Sequence, residues 1–543
     1  MPGEHIDMEH RDGKVTTRPR DVDSDERFLE QLGYKQQLSR SLGAIESFAS
    51  SFCAVDFVSS VRLTYSFGIL SGGPKAMWSS YIVNAVFACM SAAVLSEICS
   101  ALPISGSLYI WAAQAAGPKY GRLVGFIVAW WAVTAWMTFT AGCSQAFANY
   151  ILSLVPVFDL DFPGGISGDN VKWRALLWIV SELFLIVATA LVYLPPRWYP
   201  LLFRTAVGSI LLDWILCMTW LPIGASKRYG LRSAREAFLT TYNGTGASPG
   251  WNWALSFFFT SSALVGFDGA GHVAEETKDA GYTSARSIIG SALATAIGGF
   301  TTLIVFLFCT PDIDTLFSLN APQPFVLIYS MALGRGGAVA MTAIAAIQLL
   351  VCTSILIITA SRLIFAIARD GALPFSEWVG RVSSSGRPQN AVLVMYFCCA
   401  LLICTILPST AAFTSLLSGG IAPLVASYGL IALLRLTMTP TDFKMSRFPL
   451  GRASTLFYFG SAAFNAWLFA VNVAPYSFPV AAETFNFACV IFGTVTILGF
   501  LSFWFTPADR WLRSEQMQRM HNGASSALEE KEIGNEKSKV EAD

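Results

Sequence analysis

The residues best suited to chemistry lie between Trp253 and Glu276, where an apolar run is interrupted. Gly266, Gly269 and Gly271 fall within six residues there, and Asp268 lies between them. A helix that loses backbone hydrogen bonds inside a membrane is costly unless the freed groups line a cavity or contact a ligand. An ionisable side chain at that depth marks a functional site by default. The pattern predicts a broken helix that binds a polar ligand, although the glycines alone would also permit close helix packing.

A second interrupted apolar run lies near the start of the chain. It holds Asp56 and Arg62, which are expensive at membrane depth, and Val58, Ser59 and Ser60 lie between them. Serine hydroxyls can satisfy the backbone groups that a break sets free, so we expect the break at residues 58–60. Interrupted segments at matching places in two halves of a transporter indicate a ligand site near the middle of the membrane. The two breaks should therefore lie together.

The two breaks predict a site for a small zwitterion. The helix that resumes after Ser60 presents free N–H groups and the positive end of its dipole, which suit a carboxylate. The carbonyl groups freed near Gly266 suit an ammonium group, and Phe267 would cover the ligand. Asp268 would assist there or act as a proton-linked gate. The substrate-binding candidates are Ser59, Ser60, Val61, Arg62, Ala263, Val265, Gly266, Phe267 and Asp268.

Arg62 has three interpretations. It meets a substrate carboxylate, pairs with a buried acid such as Asp56, or extends outward to the membrane surface. In the first case its charge argues against a purely cationic substrate, whereas in the second the partner neutralises it and removes that argument. Glu97 ends the second apolar run and is a further buried acid. The candidates for proton coupling or gating are Asp268, Asp56 and Glu97.

Twelve apolar runs are long enough to position these residues across a membrane, since a spanning helix needs about 20 apolar residues. They cover residues 47–71, 78–101, 123–155, 174–196, 199–224, 253–273, 286–310, 336–368, 390–408, 411–434, 455–474 and 485–505. A short interfacial piece is expected at 321–333. We therefore predict an all-α polytopic membrane protein with a transporter domain at 44–506. Its first and sixth spans are broken and begin the halves of a five-plus-five repeat, which two extra helices follow.

Composition argues against other classes of protein. The 543 residues are 54% hydrophobic and only 13% charged, whereas soluble proteins are about a quarter charged. The zero net charge does not indicate a nucleic-acid partner. All 11 cysteines lie in apolar runs, and His272 is the lone histidine in a span, so we predict no metal site and no cofactor. The sequence has no phosphate-binding loop for ATP and no clustered catalytic residues on loops, which argues against an enzyme.

The distribution of Lys and Arg predicts that both chain ends are cytoplasmic. The polar segments 1–43 and 507–543 are expected to be tails, the first mobile and the second disordered. The loop after the fifth run is placed outside although it is basic, and it holds a glycosylation sequon at Asn243. The plasma membrane is the expected location, with a vacuolar or other internal membrane as the alternative.

Four stretches resemble the fungal amino acid/choline/GABA permeases of the amino acid–polyamine–organocation superfamily. They are LSGGPKAMWSSYIV, SEICSALPISGSLYIWAAQAAGP, GFDGAGHVAEET and ARDGALPFSEWVGRV, and the resemblance covers about residues 40–505. It implies a five-plus-five inverted repeat, alternating access and usually proton coupling. The superfamily's Gly-Ser-Gly break falls on Val58, Ser59 and Ser60, and its acid after the sixth-span glycine falls on Asp268. The fifth span has no lysine, so the lysine-based proton relay of some relatives is not implied.

The sequence thus predicts a proton-coupled secondary transporter of a small amino compound, either an amino acid or a GABA-like zwitterion. Its partners are the small-molecule substrate and the lipid bilayer. The alternatives are a choline or polyamine permease, a transporter of an amino-acid-derived secondary metabolite or its precursor, and a nutrient sensor built on a transporter fold.

Overall fold

The computed structural model describes residues 24–507 and Trp511, apart from 32, 372, 374, 385, 409–411, 441–442, 444–445 and 482–484. It also describes two short strands, β1 (His10–Arg11) and β2 (Lys14–Val15), which pair antiparallel. Most of the predicted C-terminal tail at 507–543 lies outside the described residues.

The rest of the fold is helical. The first half contains α1 (Ser24–Gln31), α2 (Ala44–Val55), α3 (Phe57–Leu70), α4 (Gly73–Ala101), α5 (Ser107–Ala115), α6 (Gly117–Leu152), α7 (Leu154–Val157), α8 (Val171–Val192) and α9 (Tyr199–Arg228). The outer loop and second half contain α10 (Ala234–Leu239), α11 (Pro249–Leu255), α12 (Phe257–Leu264), α13 (Gly269–His272), α14 (Ala280–Cys309), α15 (Ile313–Ser318), α16 (Pro324–Arg369), α17 (Ser376–Val379), α18 (Gln389–Ile403) and α19 (Ala412–Thr437). The last two helices are α20 (Ser454–Val473) and α21 (Ala488–Phe505). Single 3₁₀ turns occur at Pro196–Trp198, Ala274–Glu276, Cys404–Ile406 and Gly451–Ala453.

Eleven helical segments in the described part of the chain are long and apolar enough to cross a membrane. They match eleven of the twelve predicted spans. The predicted span at 253–273 is missing from this set because it is divided into α11, α12 and α13, none of which is long enough alone. α16 is also interrupted, at Gly334, which adopts φ 78°. That kink separates a short helix at 324–333 from the eighth span. The short helix lies where the interfacial piece at 321–333 is predicted.

The first break lies at Asp56, and the predicted position at Val58–Ser60 is wrong. Asp56 adopts φ 37° and ψ 68°, ends α2 and caps α3, whose backbone is helical from Phe57 onward. An aspartate tolerates this left-handed conformation because its short side chain can bond to nearby backbone groups. The acid rather than the serine pair therefore terminates the inner half of the span.

The second break lies where the sequence predicts it. Val265 is extended, Gly266 adopts φ 105°, and helical structure resumes at Gly269. Only glycine adopts such a φ readily. The interruption therefore turns the chain between α12 and α13 at the predicted residues.

Residues 34–42, named the strap below, are packed against the folded domain although they belong to the predicted N-terminal tail. Tyr34, Leu38 and Leu42 are buried. The Leu42 N–H donates to the Glu276 carbonyl at 2.9 Å, and the Lys278 N–H donates to the Leu42 carbonyl at 3.1 Å. This part of the predicted tail is consequently fixed at the inner end of the sixth span.

Gly269 offers a test of how closely the two broken spans pack. A Cβ atom at this position would lie 2.5 Å from the Ser50 carbonyl oxygen of α2. Gly269→Ala should therefore destabilise the purified protein by about 1–3 kcal/mol, as overpacking does elsewhere. The measurement is the apparent melting temperature in detergent. Gly208→Ala is the control, because a Cβ there meets nothing within 4 Å; equal melting temperatures for both variants would contradict this packing.

Candidate functional site

The two breaks lie against each other, as predicted. The Ser51 hydroxyl of α2 donates to the Phe267 carbonyl at 2.7 Å and accepts from the Ala270 N–H at 2.8 Å. A Cβ at Gly266 would stand 3.8 Å from Ala54, two residues before the first break. One serine side chain thus joins α2 of span one to the break in span six and to α13, which follows it.

Asp56 places a carboxylate at the first break. Its Oδ1 accepts a hydrogen bond from the Gln348 side-chain amide of α16, which also donates to the Ser59 hydroxyl at 3.2 Å. Asp56 Oδ2 and Gln348 Oε1 are buried and have no hydrogen-bond partner among the described residues. Buried polar atoms are nearly always satisfied, so these two acceptors on hydrogen-bonded neighbours suit a ligand that brings donors or positive charge.

The N–H groups after Ser60 do not form the predicted carboxylate site. The Ser60 N–H donates to the Asp56 carbonyl at 2.9 Å, and the Ser60 hydroxyl donates to the Val55 carbonyl at 2.7 Å. Val61 is buried inside α3. Because α3 begins at Phe57, these groups belong to the helix interior, and the helix start already carries the Asp56 side chain.

Arg62 pairs with a buried acid, as the second interpretation has it, but that acid is Asp213 of α9 and not Asp56. Both Arg62 Nη atoms donate to the Asp213 carboxylate, and Nη1 also donates to the Tyr329 hydroxyl at 2.8 Å. The guanidinium carbon lies 5.4 Å from the centre of the Tyr150 ring. All four residues are buried. The charge of Arg62 is thus neutralised within the bundle.

Asp268 is the centre of a buried hydrogen-bond chain. Its Oδ2 lies 3.0 Å from His272 Nε2, and its Oδ1 accepts from the Tyr428 hydroxyl of α19. The other ring nitrogen of His272 lies 2.8 Å from the Ser107 hydroxyl at the start of α5. Asp268 and His272 are both fully buried. The chain connects the break in span six to two other elements through groups that can gain or lose protons.

Aromatic rings enclose this chain. The Phe267 ring stacks on Tyr428 at 5.0 Å between centroids, and Trp136 of α6 meets the His272 ring edge-on at 5.2 Å. The predicted candidates Ala263 and Val265 are buried at the end of α12, where the last carbonyl groups lose their helical partners. The site is accordingly closed to solvent and rich in acceptors.

Two predicted residues lie away from the breaks. Glu97 accepts hydrogen bonds from the Leu450 N–H at 2.9 Å and the Tyr458 hydroxyl at 2.8 Å, and so ties α4 to α20. Asn243 is exposed in the loop between α10 and α11, where its side-chain amide donates to the Ala247 carbonyl at 2.8 Å. Glu97 and Asn243 therefore lie outside the candidate site, and Arg62 contacts Asp213 rather than the break in span six.

Two ion pairs close the inner end of span six, and their four residues are named the inner gate below. Arg362 Nε lies 2.6 Å from Glu276 Oε1, and Arg369 Nη1 lies 2.7 Å from Glu275 Oε2. Glu275 Oε1 also accepts from the Ser105 N–H at 3.0 Å. The next residue, Asp370, is outside the span, and burial raises its pKa while the Arg369 charge opposes the shift. The path from the breaks to this side is closed.

Sequence reasoning missed several of these residues. His272 follows Asp268 by four positions, which places both on one helix face, and that spacing would have indicated their contact. Arg362 and Arg369 are seven residues apart at the end of span eight, opposite the acidic pair Glu275 and Glu276. Gln348 and Tyr428 carry no comparable signal, because a single polar residue in a span does not reveal its partner.

Comparisons with known proteins agree on a transporter. The sequence model of the family described as amino acid permease matches residues 42–496. The chain is 41% identical over 538 residues to the thiamine transporter thi9 of Schizosaccharomyces pombe, which covers 94% of this chain and 91% of that protein. It is 28% identical over 510 residues to the amino-acid permease BAT1 of Arabidopsis thaliana, covering 90% and 96% of the two chains.

A solved structure shares the fold. The manganese transporter of Eremococcus coleocola superposes with a TM-score of 0.54, covering 93% of this chain and 99% of the other. The two sequences are 11% identical, so this similarity concerns the fold alone.

The Arg62–Asp213 pair can be tested by exchanging both charges for apolar groups. Arg62→Met or Asp213→Leu alone leaves one buried charge unpaired, which costs about 3–5 kcal/mol. The double variant removes both charges and should recover most of the lost melting temperature in detergent. A stable Arg62→Met single variant, or a double variant no better than the two singles, would contradict the pairing.

Proposed function

The chain belongs to the amino acid permease family and is a membrane transporter rather than an enzyme, and we propose that it carries thiamine or a closely related organic cation. The observation that carries this proposal is the orphaned Asp56 Oδ2 at the first break. Thiamine has a permanently charged thiazolium ring and an aminopyrimidine group with N–H donors. The 41% identity to a thiamine transporter supports the same substrate.

The acceptors around the breaks suit such a ligand. Asp56 Oδ2 supplies a negative charge, and Gln348 Oε1 supplies a neutral acceptor beside it. The last carbonyl groups of α12 lie at the second break and carry the negative end of the helix dipole. A cation with N–H donors would satisfy these groups, whereas a second negative charge would be repelled.

Arg62 no longer argues against a cationic substrate. Its charge argued against a cation only if it met the substrate, and Asp213 already occupies both Arg62 Nη atoms. An amino-acid zwitterion nevertheless remains the second candidate, because the family description and the BAT1 relative favour it. Its carboxylate would have to bind the N–H groups of Phe57 and Val58 at the start of α3, next to the Asp56 side chain.

We expect the transport cycle to be alternating access. Layers of buried contacts lie on either side of Asp56: the Arg62–Asp213 pair on one side and the inner gate on the other. Opening one layer while the other stays closed would expose the breaks to each face of the membrane in turn. The positive-inside rule supports placing the inner gate toward the cytoplasm, and Asn243 outside as a glycosylation candidate. The plasma membrane is the proposed location.

Asp268 and His272 are the proposed proton-coupling groups, and Glu97 is not retained because it lies away from the breaks. Adding a proton to Asp268 or His272 changes which atoms of this hydrogen-bond chain donate and which accept. His272 contacts Ser107 on α5, and Asp268 contacts Tyr428 on α19. A change in protonation would therefore alter how the break in span six is held against both elements.

The substrate is tested by uptake of labelled thiamine into yeast that lacks its own thiamine transport. The wild-type chain should support thiamine uptake above that of amino acids, GABA, choline or polyamines. Asp56→Asn keeps the shape and removes the charge, so thiamine uptake should fall at least about tenfold, mainly through a higher KM, as expected for a lost charged contact. Asp279→Asn is the control, because Asp279 is exposed and pairs with Arg447.

Three results would overturn this assignment. Uptake of an amino acid without thiamine would favour the second candidate. Equal thiamine uptake by Asp56→Asn would remove Asp56 from the site. Thiamine binding without flux, with the protein at the cell surface, would favour a sensor.

Proton coupling is tested by comparing uptake at acid and neutral pH. The carboxamide of Asp268→Asn cannot gain or release a proton in this range, so the ratio of uptake rates at the two pH values should approach one. Glu97→Gln is the matched control, since it neutralises a buried acid that lies away from the breaks. An unchanged pH profile in Asp268→Asn would contradict its role.

A further inference from the structure

We propose that the strap, residues 34–42, is a positioning element of the inner gate that holds its two sides together and must release before the transported molecule can leave on that side. The inference rests on the proposed function, because it assumes that this gate opens during a transport cycle. It assigns a role in transport to a segment whose composition resembles a tail.

The strap binds the backbone carbonyl groups of Glu275 and Glu276, the acidic residues of the inner gate. The Gln36 side-chain amide donates to the Glu275 carbonyl at 3.0 Å. Leu42 exchanges hydrogen bonds with Glu276 and Lys278, which makes a short parallel bridge beside Thr277. These bonds hold the residues that carry the gate carboxylates.

The strap also contacts Arg369, a basic residue of the inner gate, and the adjacent Asp370. The Arg369 guanidinium lies 4.6 Å from the centre of the Tyr34 ring, within cation–π range. The Tyr34 hydroxyl donates to Asp370 Oδ2 at 3.4 Å, and the Tyr109 hydroxyl of α5 donates to the same oxygen at 2.8 Å. Burial and the neighbouring Asp370 raise the pKa of Tyr34 well above its usual range, so this hydroxyl keeps its proton.

These contacts join the two groups of helices that would separate when the inner gate opens. The strap continues directly into α2, and α2 is joined to α13 by Ser51 and by the close approach of Gly269 to Ser50. Arg362, Arg369 and Asp370 lie at the end of α16, and Ser39 lies beside Gly386 in the loop before α18. If α2 and α13 move away from α16, then the strap must leave Arg369, Asp370 and Gly386.

A reversible cross-link tests whether the strap moves. A Cβ at Gly386 would lie 3.0 Å from Ser39 Cβ, and both positions are accessible, so a small loop shift gives the roughly 3.8 Å separation of a disulfide. In the variant Ser39→Cys/Gly386→Cys, two copper(II) phenanthroline complexes each accept one electron and become copper(I), as the two thiols lose their protons and the S–S bond forms. Peptide mass spectrometry measures the linked fraction.

Uptake in the linked protein should fall at least tenfold and return after dithiothreitol reduces the bond. Neither single-cysteine variant should respond to the oxidant, which controls for the 11 native cysteines and for the positive φ of Gly386. Full uptake by a completely linked protein would overturn the proposal, because the strap would then not need to move. Failure of the pair to link would contradict the contact itself.

Hydrogen exchange gives a second test that needs no substrate. Tyr34→Ala removes the ring from Arg369, so amide exchange should become at least tenfold faster in the peptide covering 273–280 as well as in the strap. Tyr34→Phe keeps the ring and should have a smaller effect, and the exposed Lys35→Ala should have none. Faster exchange confined to the strap would overturn the proposal. An absence of thiamine uptake by the wild type would instead contradict the proposed function, leaving the exchange result to decide on the strap.

Discussion

A carboxylate inside a membrane must be matched by a charge, a proton or a set of hydrogen-bond donors, and the arrangement of this protein follows from that requirement. Asp213 meets Arg62, Asp268 meets His272 and Tyr428, and Glu275 and Glu276 meet Arg369 and Arg362. Asp56 is matched on one oxygen only, by Gln348. The incompletely matched acid lies at the first helix break, where we propose that the substrate binds.

The matched acids form successive layers along the sixth span and its neighbours. Each of these contacts joins a broken span to a neighbouring helix: α3 to α9, α13 to α19, and the turn after α13 to α16. Such pairs add little net stability, because desolvation offsets most of their attraction, yet breaking one is costly. Such pairs are therefore suited to stabilising one conformation of a helix that moves during transport. The strap adds further contacts at the inner gate.

Much of the architecture could be predicted from the sequence, because hydrophobic length is a strong signal and glycine breaks are visible in it. The position of the second break, at Gly266, followed from glycine chemistry. The first break was misplaced because no glycine marks it, and an aspartate in the left-handed conformation leaves no distinct pattern. The partner of Arg62 was also missed, since Asp213 is 151 residues away and only the packing of α3 against α9 selects it over Asp56. That pairing removes the charge argument against a cationic substrate.

Binding of charge-matched ligands to the purified protein in nanodiscs tests the central claim, that the free charge of the site is the carboxylate of Asp56. The measurement compares thiamine with an uncharged analogue of the same shape and with an amino-acid zwitterion. The account predicts that thiamine binds at least about tenfold more tightly than either, a difference of about 1.4 kcal/mol or more. Equal affinity for the uncharged analogue, or preferential binding of the zwitterion, would contradict it.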